Sequence, residues 1–273
     1  MRPRTALHTF LVFGVKQAYA CLFGGFLLAV IVLTASWYPF HRLYRYDFLF
    51  LAAIGFQCFL IAVRLEKPRE MLVILVFHLL ATAMELFKTS PSIGSWNYPG
   101  PALIRIAGVP LFAGFMYSAV GSYIARVWRV FEFRFRHYPP APWTAALAAG
   151  IYLNFFTHHY LPDFRWGLLL AALLVYGRTW VCFKVTDRYL RMPLMLGFFL
   201  VALFVWLAEN VSTFYSIWVY PSQRHGWTPV AYSKLTSWWL LMMISFVLVS
   251  LVHKPREMEA PAPVAAGAEE TAT

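Results

Sequence analysis

The sequence predicts an all-α, polytopic transmembrane helical bundle of about eight spans, built as two parallel four-helix repeats. Three observations predict this class. Hydrophobic residues make up 60% of the 273 residues, and charged residues only 13%. The apolar residues form runs that are long enough to enter a bilayer. One sequence motif also occurs twice, once in each half of the chain.

The predicted spans are apolar runs bounded by charges or proline, each near the roughly 20 residues needed to cross the hydrocarbon. Asn154 and the adjacent His158 and His159 shorten the fifth run, and Gly177 and Arg178 interrupt the sixth. The runs lie near residues 18–37, 47–63, 71–88, 106–125, 143–160, 165–183, 193–212 and 234–252.

Basic residues orient the predicted bundle. If the N-terminus is cytoplasmic, most of the 23 basic residues fall in inner segments, so both termini are expected in the cytoplasm. The formal charge of +11 arises from these short clusters between apolar runs. The lipid bilayer is therefore the expected partner, and nucleic acid is not. The oligomeric state is not predicted.

Domain organisation follows from the repeat. Residues 1–138 form the first predicted four-helix repeat, which ends in a basic amphipathic extension along the inner headgroups. A solvated end to the fourth helix is the alternative for this Arg-rich segment. Residues 139–253 form the second repeat. Residues 254–273 are rich in Ala, Pro and Glu and are predicted to be a disordered cytoplasmic tail.

The repeated motif places a glutamate at the outer end of a predicted helix, followed by Thr, Ser and a Trp-x-Tyr-Pro sequence. A parallel repeat implies a pseudo-two-fold axis along the membrane normal, with a site where the halves meet. The alternative is that Pro and aromatic residues recur at outer helix ends in any membrane protein. The first copy contains Glu85, Thr89, Ser92, Trp96 and Tyr98, and the second contains Glu209, Thr213, Ser216, Trp218 and Tyr220.

Glu85 and Glu209 are the predicted catalytic residues. A charged side chain in the hydrocarbon costs about 2.5–3.5 kcal/mol on insertion scales, so each glutamate is expected to face the bundle interior with a partner. Desolvation favours the protonated carboxyl, which then acts as a general acid. Two alternatives stay open. The glutamates bind a cation or relay protons, or each caps loop backbone or pairs with Lys88.

The predicted substrate-binding residues share a helical face or a phase with the glutamates. Thr and Ser follow each glutamate by four and seven residues, and the aromatic residues either wall a pocket or form an interfacial belt. No cofactor or metal is predicted, because no His-x-x-His box, Walker loop or dinucleotide glycine fingerprint occurs. The set comprises Thr89, Ser92, Trp96, Tyr98, Thr213, Ser216, Trp218, Tyr220, His78 and Asn210.

Several stretches resemble the YoaT-like family of bacterial integral membrane proteins, a domain of unknown function numbered 817. The resemblance covers nearly the whole chain except the tail, and it implies a multi-pass protein of the bacterial inner (plasma) membrane. It is carried by Gly108-Val109-Pro110-Leu111-Phe112, Phe115 to Gly121, Glu209-Asn210, Trp218 to Gln223, Trp227, Lys234-Leu235 and Ser237-Trp238.

A second pattern is similar to small membrane lycopene cyclase domains and carotenoid hydratases, which also occur as duplicated helical units. It comprises Glu85, Gly94-x-Trp96-x-Tyr98 and Gly108-x-Pro110. The resemblance implies protonation of a polyene by membrane carboxylates. The sequence thus favours a protein that binds or modifies an isoprenoid or carotenoid-like lipid in an outer-leaflet pocket. The alternatives are a small proton- or cation-coupled transporter or channel, and a structural membrane scaffold.

Overall fold

Helices dominate the computed structural model, which describes residues 6–258. Each of the eight predicted apolar runs overlaps most of one helix, and a further helix begins before the first run. The predicted helical class is therefore confirmed. The helices are α1 (Ala6–Ala20), α2 (Leu22–Ser36), α3 (Arg45–Ala62), α4 (Pro68–Lys88), α5 (Phe112–Val130), α6 (Ala141–Thr157), α7 (Arg165–Tyr176), α8 (Leu194–Phe214) and α9 (Ser233–Ser250).

Four helices of the described part are long and apolar enough to cross a membrane, namely α3, α4, α8 and α9. Helices α1 and α2 pass the same test only as a pair, which is bent by 70° at Cys21. Helix α7 is apolar but has only 12 residues. The structure thus supports four to five membrane spans by length and composition, and the count of about eight stays a prediction.

Helix contacts in the two halves correspond by position. Helix α2 contacts α3 and α5, as α6 contacts α7 and α9. Helix α4 packs on α5, as α8 packs on α9. Between the halves, α5 packs on α9, while α2 contacts α8 and α4 contacts α6. The C-terminal ends of α4 and α8, which carry the two glutamates, therefore flank the central α5–α9 pair.

Two small antiparallel sheets lie in the segments between helices. The first is a hairpin of β1 (Arg105–Ile106) and β2 (Val109–Pro110), whose turn residues Ala107 and Gly108 have φ of 46° and 87°. The second has the order β3-β4-β5. Its strands are β3 (Arg134–Arg136), β4 (Trp180–Lys184) and β5 (Tyr189–Pro193).

The three-stranded sheet corrects two boundaries. The predicted amphipathic extension at the end of the first repeat is the end of α5 followed by β3, because the buried Phe135 alternates with half-buried arginines and pairs with β4. The predicted sixth span, 165–183, ends as a helix at Tyr176, because the chain then enters β4. Gly177 and Arg178, which interrupt the apolar run, lie at that break.

The first residues of the predicted disordered tail are also paired. The backbone N–H of Phe135 donates to the carbonyl of Arg256 at 2.9 Å, and that of Met258 donates to Phe135 at 2.8 Å. Residues 254–258 therefore run beside β3, because β3 has a free edge on this side. Residues 259–273 of the predicted tail lie outside the described residues.

Buried ion pairs join α4 and its preceding loop to α5. Arg126 bonds to Glu66 at 2.8 Å, and their side chains are 1% and 2% exposed. Gln57 and Ser122 donate to the same carboxylate. Such pairs hold the elements in register, because the loss of one partner leaves the other charge buried and unpaired.

Candidate functional site

Glu85 lies in the last turn of α4 and is 1% exposed. Its carboxylate accepts three hydrogen bonds from neutral side chains. The indole N–H of Trp96 and the hydroxyl of Tyr98 donate to Oε2 at 2.9 and 2.8 Å. The hydroxyl of Tyr117 on α5 donates to Oε1 at 2.8 Å. The first Trp-x-Tyr motif therefore folds back onto its own glutamate.

Glu209 occupies the corresponding place on α8 and is 3% exposed. Its Oε1 accepts a hydrogen bond from the hydroxyl of Tyr220 at 2.5 Å, and its Oε2 accepts one from the indole N–H of Trp238 at 2.6 Å. The motif tyrosine repeats the arrangement at Glu85. The indole comes instead from α9, while Trp218 packs with Ile217 in an apolar cluster.

The two motifs also pair with each other. Asn97 and Val219, the central residues of the two Trp-x-Tyr sequences, exchange backbone hydrogen bonds of 3.0 and 2.9 Å in an antiparallel bridge. Trp96 meets Tyr220 edge to face, with ring centres 6.1 Å apart. Tyr117 and Trp238, which each donate to a glutamate, also lie 6.1 Å apart. The structure thus brings both predicted carboxylates into one site.

Lys234 is the ammonium group of this site. It lies at the start of α9, half-buried, with its Nζ 4.5 Å from the ring centre of Tyr220 and 5.5 Å from that of Trp96. Each ring thus has the Lys234 ammonium against its face. The indole N–H of Trp96 and the hydroxyl of Tyr220 donate to a glutamate carboxylate. A carboxylate on the edge of a ring raises the negative charge on its face, so the arrangement strengthens the cation–π contact.

Tyr98 and Tyr220 act as hydrogen-bond donors over a wide pH range. Burial, together with the neighbouring Glu85, raises the pKa of Tyr98 well above its ordinary value. Burial and Glu209 raise the pKa of Tyr220 in the same way. Because a phenolate beside a carboxylate is unfavourable, both hydroxyls stay protonated and keep donating.

An apolar cleft adjoins Glu85. It lies between α4, α5, α6 and α9, and Tyr117 is one of its wall residues. The same hydroxyl that donates to Glu85 therefore belongs to a side chain that borders the cleft. Both glutamates are themselves covered by their donors. The residues that line the cleft include Phe77, Met84, Tyr117, Tyr152, Leu241 and Leu248.

The predicted hydroxyl and amide residues bond to backbone or to other loop residues instead of the carboxylates. Thr89 and Thr213 donate to the carbonyls of Glu85 and Asn210, as hydroxyls near helix ends commonly do. The Asn210 side chain also accepts from the N–H of Val230 and so fixes the loop before α9. Ser92 bonds to Ser90, and Ser216 has a φ of 54° at the edge of a surface depression.

His78 lies away from the glutamates. Its ring packs on α5 against Phe115, with ring centres 4.8 Å apart, and beside Gly114. Within residues 6–258 its Nδ1 has no hydrogen-bond partner. The helical spacing of seven residues puts His78 on the side of α4 that faces α5, where it packs.

Gly114→Ala is expected to destabilise the protein by about 1–3 kcal/mol, because an added Cβ would lie 2.3 Å from Nδ1 of His78. Thermal unfolding in detergent measures this. Gly24→Ala is the matched control, since its Cβ would meet Ala119 at an ordinary 3.7 Å. Adding His78→Ala to Gly114→Ala should recover most of the loss. A Gly114→Ala protein as stable as Gly24→Ala would contradict the packing.

Lys88 does not pair with Glu85. Its ammonium donates to the Nε2 atoms of His158 and His159, at 3.2 and 2.8 Å. Nδ1 of His158 lies 2.7 Å from the carbonyl of Asn154 and carries the proton, so its Nε2 is free to accept. Burial and the Lys88 charge lower the pKa of His158, and they lower the pKa of His159 to about 4.

Acidification is therefore expected to destabilise the protein between pH 6.5 and about 4. In this window the unfolded chain protonates His159 and the folded chain does not, so stability falls as pH falls. His159→Gln should flatten the decline of the melting temperature over this range, whereas His225→Gln, at an exposed site, should leave it unchanged. An identical decline in both variants would remove the assignment.

Tyr117, Trp238 and Lys234 were not among the predicted site residues. Tyr117 and Trp238 adjoin Ser118 and Ser237, which follow Pro110 and Pro229 at the same spacing of eight. This repeated spacing is the signal that marks the two helices as part of the site. It does not show which neighbouring side chain turns toward a carboxylate.

Comparison with known proteins agrees with the resemblance to the YoaT-like family. The chain is 40% identical over 245 residues to the uncharacterized protein YoaT of Bacillus subtilis (strain 168). The aligned region covers 90% of this chain and 92% of the relative. No solved structure matches. The family described as "Protein of unknown function (DUF817)" matches residues 9–246. Because this match spans nearly all of the chain, the protein belongs to the DUF817 family.

Proposed function

We propose that this protein binds an apolar, isoprenoid-like lipid in the cleft beside Glu85 and exchanges a proton with it. In this proposal it is a multi-pass protein of the bacterial inner membrane with both termini cytoplasmic. One observation carries the proposal, namely that Tyr117 borders the cleft and also donates to Glu85 at 2.8 Å. The resemblance of the Glu85 motif to carotenoid-protonating domains supports the choice of lipid.

The proton transfer uses Tyr117 as the group that touches the lipid and Glu85 as the group behind it. When Glu85 is protonated, it passes its proton to the hydroxyl oxygen as the hydroxyl proton moves to a lipid double bond. The carbocation that results then loses a proton from a neighbouring carbon to the Tyr117 oxygen as the hydroxyl proton returns to Glu85, so that the double bond moves and both side chains regain their starting protonation. Trp96 and Tyr98 keep the carboxylate fixed by donating to its other oxygen. A positioned acid of this kind contributes about 10²–10⁴-fold to a rate.

Internal duplication is part of the proposal. The matching helix contacts of the two halves and the Asn97–Val219 bridge support a pseudo-two-fold axis that passes between the motifs. An antiparallel bridge between equivalent residues is the pairing that such an axis generates. Each repeat would then comprise four helices, with α1 and the β3 segment as additions. Glu209 is the second copy of the acid, with Tyr220 and Trp238 as donors.

Tyr117→Phe tests the proposal, because it removes the hydroxyl and keeps the ring. We expect this variant to keep its bound lipid. The change that the wild type causes in the cellular isoprenoid profile should become at least about 10-fold smaller. Tyr152→Phe is the matched control, since Tyr152 borders the same cleft but bonds to the carbonyl of Leu80. Mass spectrometry of extracted lipids gives the readout. Equal profiles for both variants would reject the role of Tyr117.

Proton or cation transport is the second candidate, and the position of Lys234 favours it. Its ammonium lies in the electric field of both Glu85 and Glu209. A tethered cation between two carboxylates is an arrangement that can compete with a transported ion. Transport predicts that Lys234→Met changes a proton- or cation-driven flux in proteoliposomes. If proteoliposomes with the wild-type protein show the same flux as empty liposomes, this candidate function is rejected.

A further inference from the structure

We propose that the outer end of the cleft binds a phosphate group, so that the ligand is an anionic amphiphile with a phosphorylated head. This inference rests on the proposed function for the apolar chain and adds the chemistry of the headgroup. It rests on Lys88, His159, Lys234 and Arg165, of which only Lys234 also belongs to the glutamate site. The source of the phosphate is either a lipid or a free anion.

Helical spacing places two of these residues above the cleft, and a third follows the end of a cleft helix. Met84 borders the cleft on α4, and Lys88 lies one turn further out on the same face. Leu241 borders it on α9, and Lys234 lies two turns further out, at the start of that helix. Beyond Tyr152 on α6, the chain reaches His159 two residues after the helix ends at Thr157.

Contacts confirm that these groups converge. Lys88 reaches His158 and His159 beyond the end of α6, and Phe87 packs on His159 with ring centres 5.7 Å apart. Arg165 reaches the start of α9 from α7, where it donates to the carbonyl of Ser233, next to Lys234, at 3.1 Å. The charges of Lys234 and Arg165 also act on Lys88, so the basic side chains from α4, α7 and α9 and the imidazoles that follow α6 lie near one another at the outer end of the cleft.

Within the described residues, the cationic side chains of this cluster outnumber its carboxylates, since Asp163 is the one acid whose charge acts on Lys88 beside those of Lys234 and Arg165. Lys88 is 5% exposed, and the partners of its ammonium are two neutral imidazoles instead of a carboxylate. Lys234 and Arg165 repel Lys88, and the one carboxylate that attracts it, Asp163, is ion-paired to Arg165 at 2.6 Å. Within residues 6–258, neither Lys88 nor Lys234 has a carboxylate oxygen within 4.0 Å. Buried cations of this kind are expected to have an anionic partner.

The donors that a phosphate would use are accessible. His159 and Lys234 are both half-buried, and the side chain of Arg165 is 23% exposed. Because Nε2 of neutral His159 accepts from Lys88, its Nδ1 carries the proton and points away as a donor. Ammonium, guanidinium and imidazole N–H groups form the charge-assisted bonds by which proteins hold phosphate.

Ligand binding to the full-length protein in phosphatidylcholine nanodiscs tests the proposal. Three probes separate head from chain: farnesyl phosphate, farnesol and inorganic phosphate, each measured by calorimetry. We expect the wild type to bind farnesyl phosphate at least about 10-fold more tightly than farnesol. Lys88→Gln and Lys234→Gln should abolish this preference, and Lys88→Arg should retain it. Lys184→Gln, at an exposed pair with Glu132, is the matched control.

The outcomes separate the headgroup from the chain. Equal affinities for farnesyl phosphate and farnesol in the wild type would overturn the phosphate site and leave the lipid cleft standing. If no probe binds, both proposals fail. Ala81→Phe, which fills the cleft, should weaken both farnesyl probes. Inorganic phosphate that binds as tightly as farnesyl phosphate, in Ala81→Phe as well, would assign the site to free phosphate. Size-exclusion profiles identify variants that do not fold. If a Gln variant does not fold, the affinities of Lys88→Arg for the same probes decide instead.

Discussion

Glu66→Ala is expected to lower the free energy of unfolding by about 3–5 kcal/mol, the largest stability loss we predict. The change leaves the guanidinium of Arg126 buried and without its carboxylate, since both side chains are at most 2% exposed. It also removes the acceptor of Gln57 and Ser122, which donate to the same carboxylate. Thermal and chemical unfolding in detergent should both show the loss.

The control for this prediction is an ion pair at the surface. Lys184 and Glu132 lie 3.3 Å apart with side chains 35% and 53% exposed, so Glu132→Ala should cost less than about 1 kcal/mol. A double variant, Glu66→Leu with Arg126→Leu, should recover part of the stability, because neither charge then stays buried alone. A Glu66→Ala protein as stable as Glu132→Ala would refute the energetic role of the pair.

The positions of the helices could be predicted from the sequence because apolar runs bounded by charges determine them. Their ends could not always be predicted. The run 165–183 is apolar beyond Tyr176, yet the chain leaves the helix there to pair Trp180–Lys184 with two other strands. Tertiary pairing of distant segments decides such a boundary, and hydropathy does not contain that information.

The β3 segment carried a local signal that the helical interpretation overlooked. Phe131, Phe133 and Phe135 alternate with Glu132 and arginines, a period of two that is typical of a strand with one buried face. Phe131 and Phe135 are 1% and 0% exposed. Amphipathic patterns occur in both helices and strands, so the spacing of the aromatic residues, and not the charge, distinguishes them.

Part of the candidate site followed from the spacing of the motif. Because Trp96 and Tyr98 follow Glu85 after a short loop, the chain can return them to the carboxylate, and it does. Helical spacing also predicts the i+4 threonines in this site, but their hydroxyls satisfy backbone carbonyls at the helix ends. Tyr117 and Trp238 come from other helices, so only the packing of α5 and α9 reveals them.

Glu85→Gln is expected to leave the fold intact and to reduce lipid conversion by about 10²–10⁴-fold. An indole N–H can only donate, so the Gln carbonyl must face Trp96 and Tyr98, and the amide N–H₂ must face Tyr117. The hydroxyl oxygen of Tyr117 can accept from that amide, which limits the stability cost to about 1–3 kcal/mol. The variant then has no carboxyl to supply or take the proton.

Glu209→Gln is the matched comparison, because it makes the same change in the second copy. Its carbonyl must face Trp238 and its amide Tyr220, neither of which borders the cleft. Lipid chemistry at Tyr117 therefore predicts that Glu85→Gln abolishes the change in lipid profile and that Glu209→Gln preserves most of it. Transport between the two carboxylates predicts that either change alone abolishes flux. A scaffold predicts lower melting temperatures for both and no other effect. The asymmetry between the two variants thus separates a cleft-specific acid from a symmetric pair.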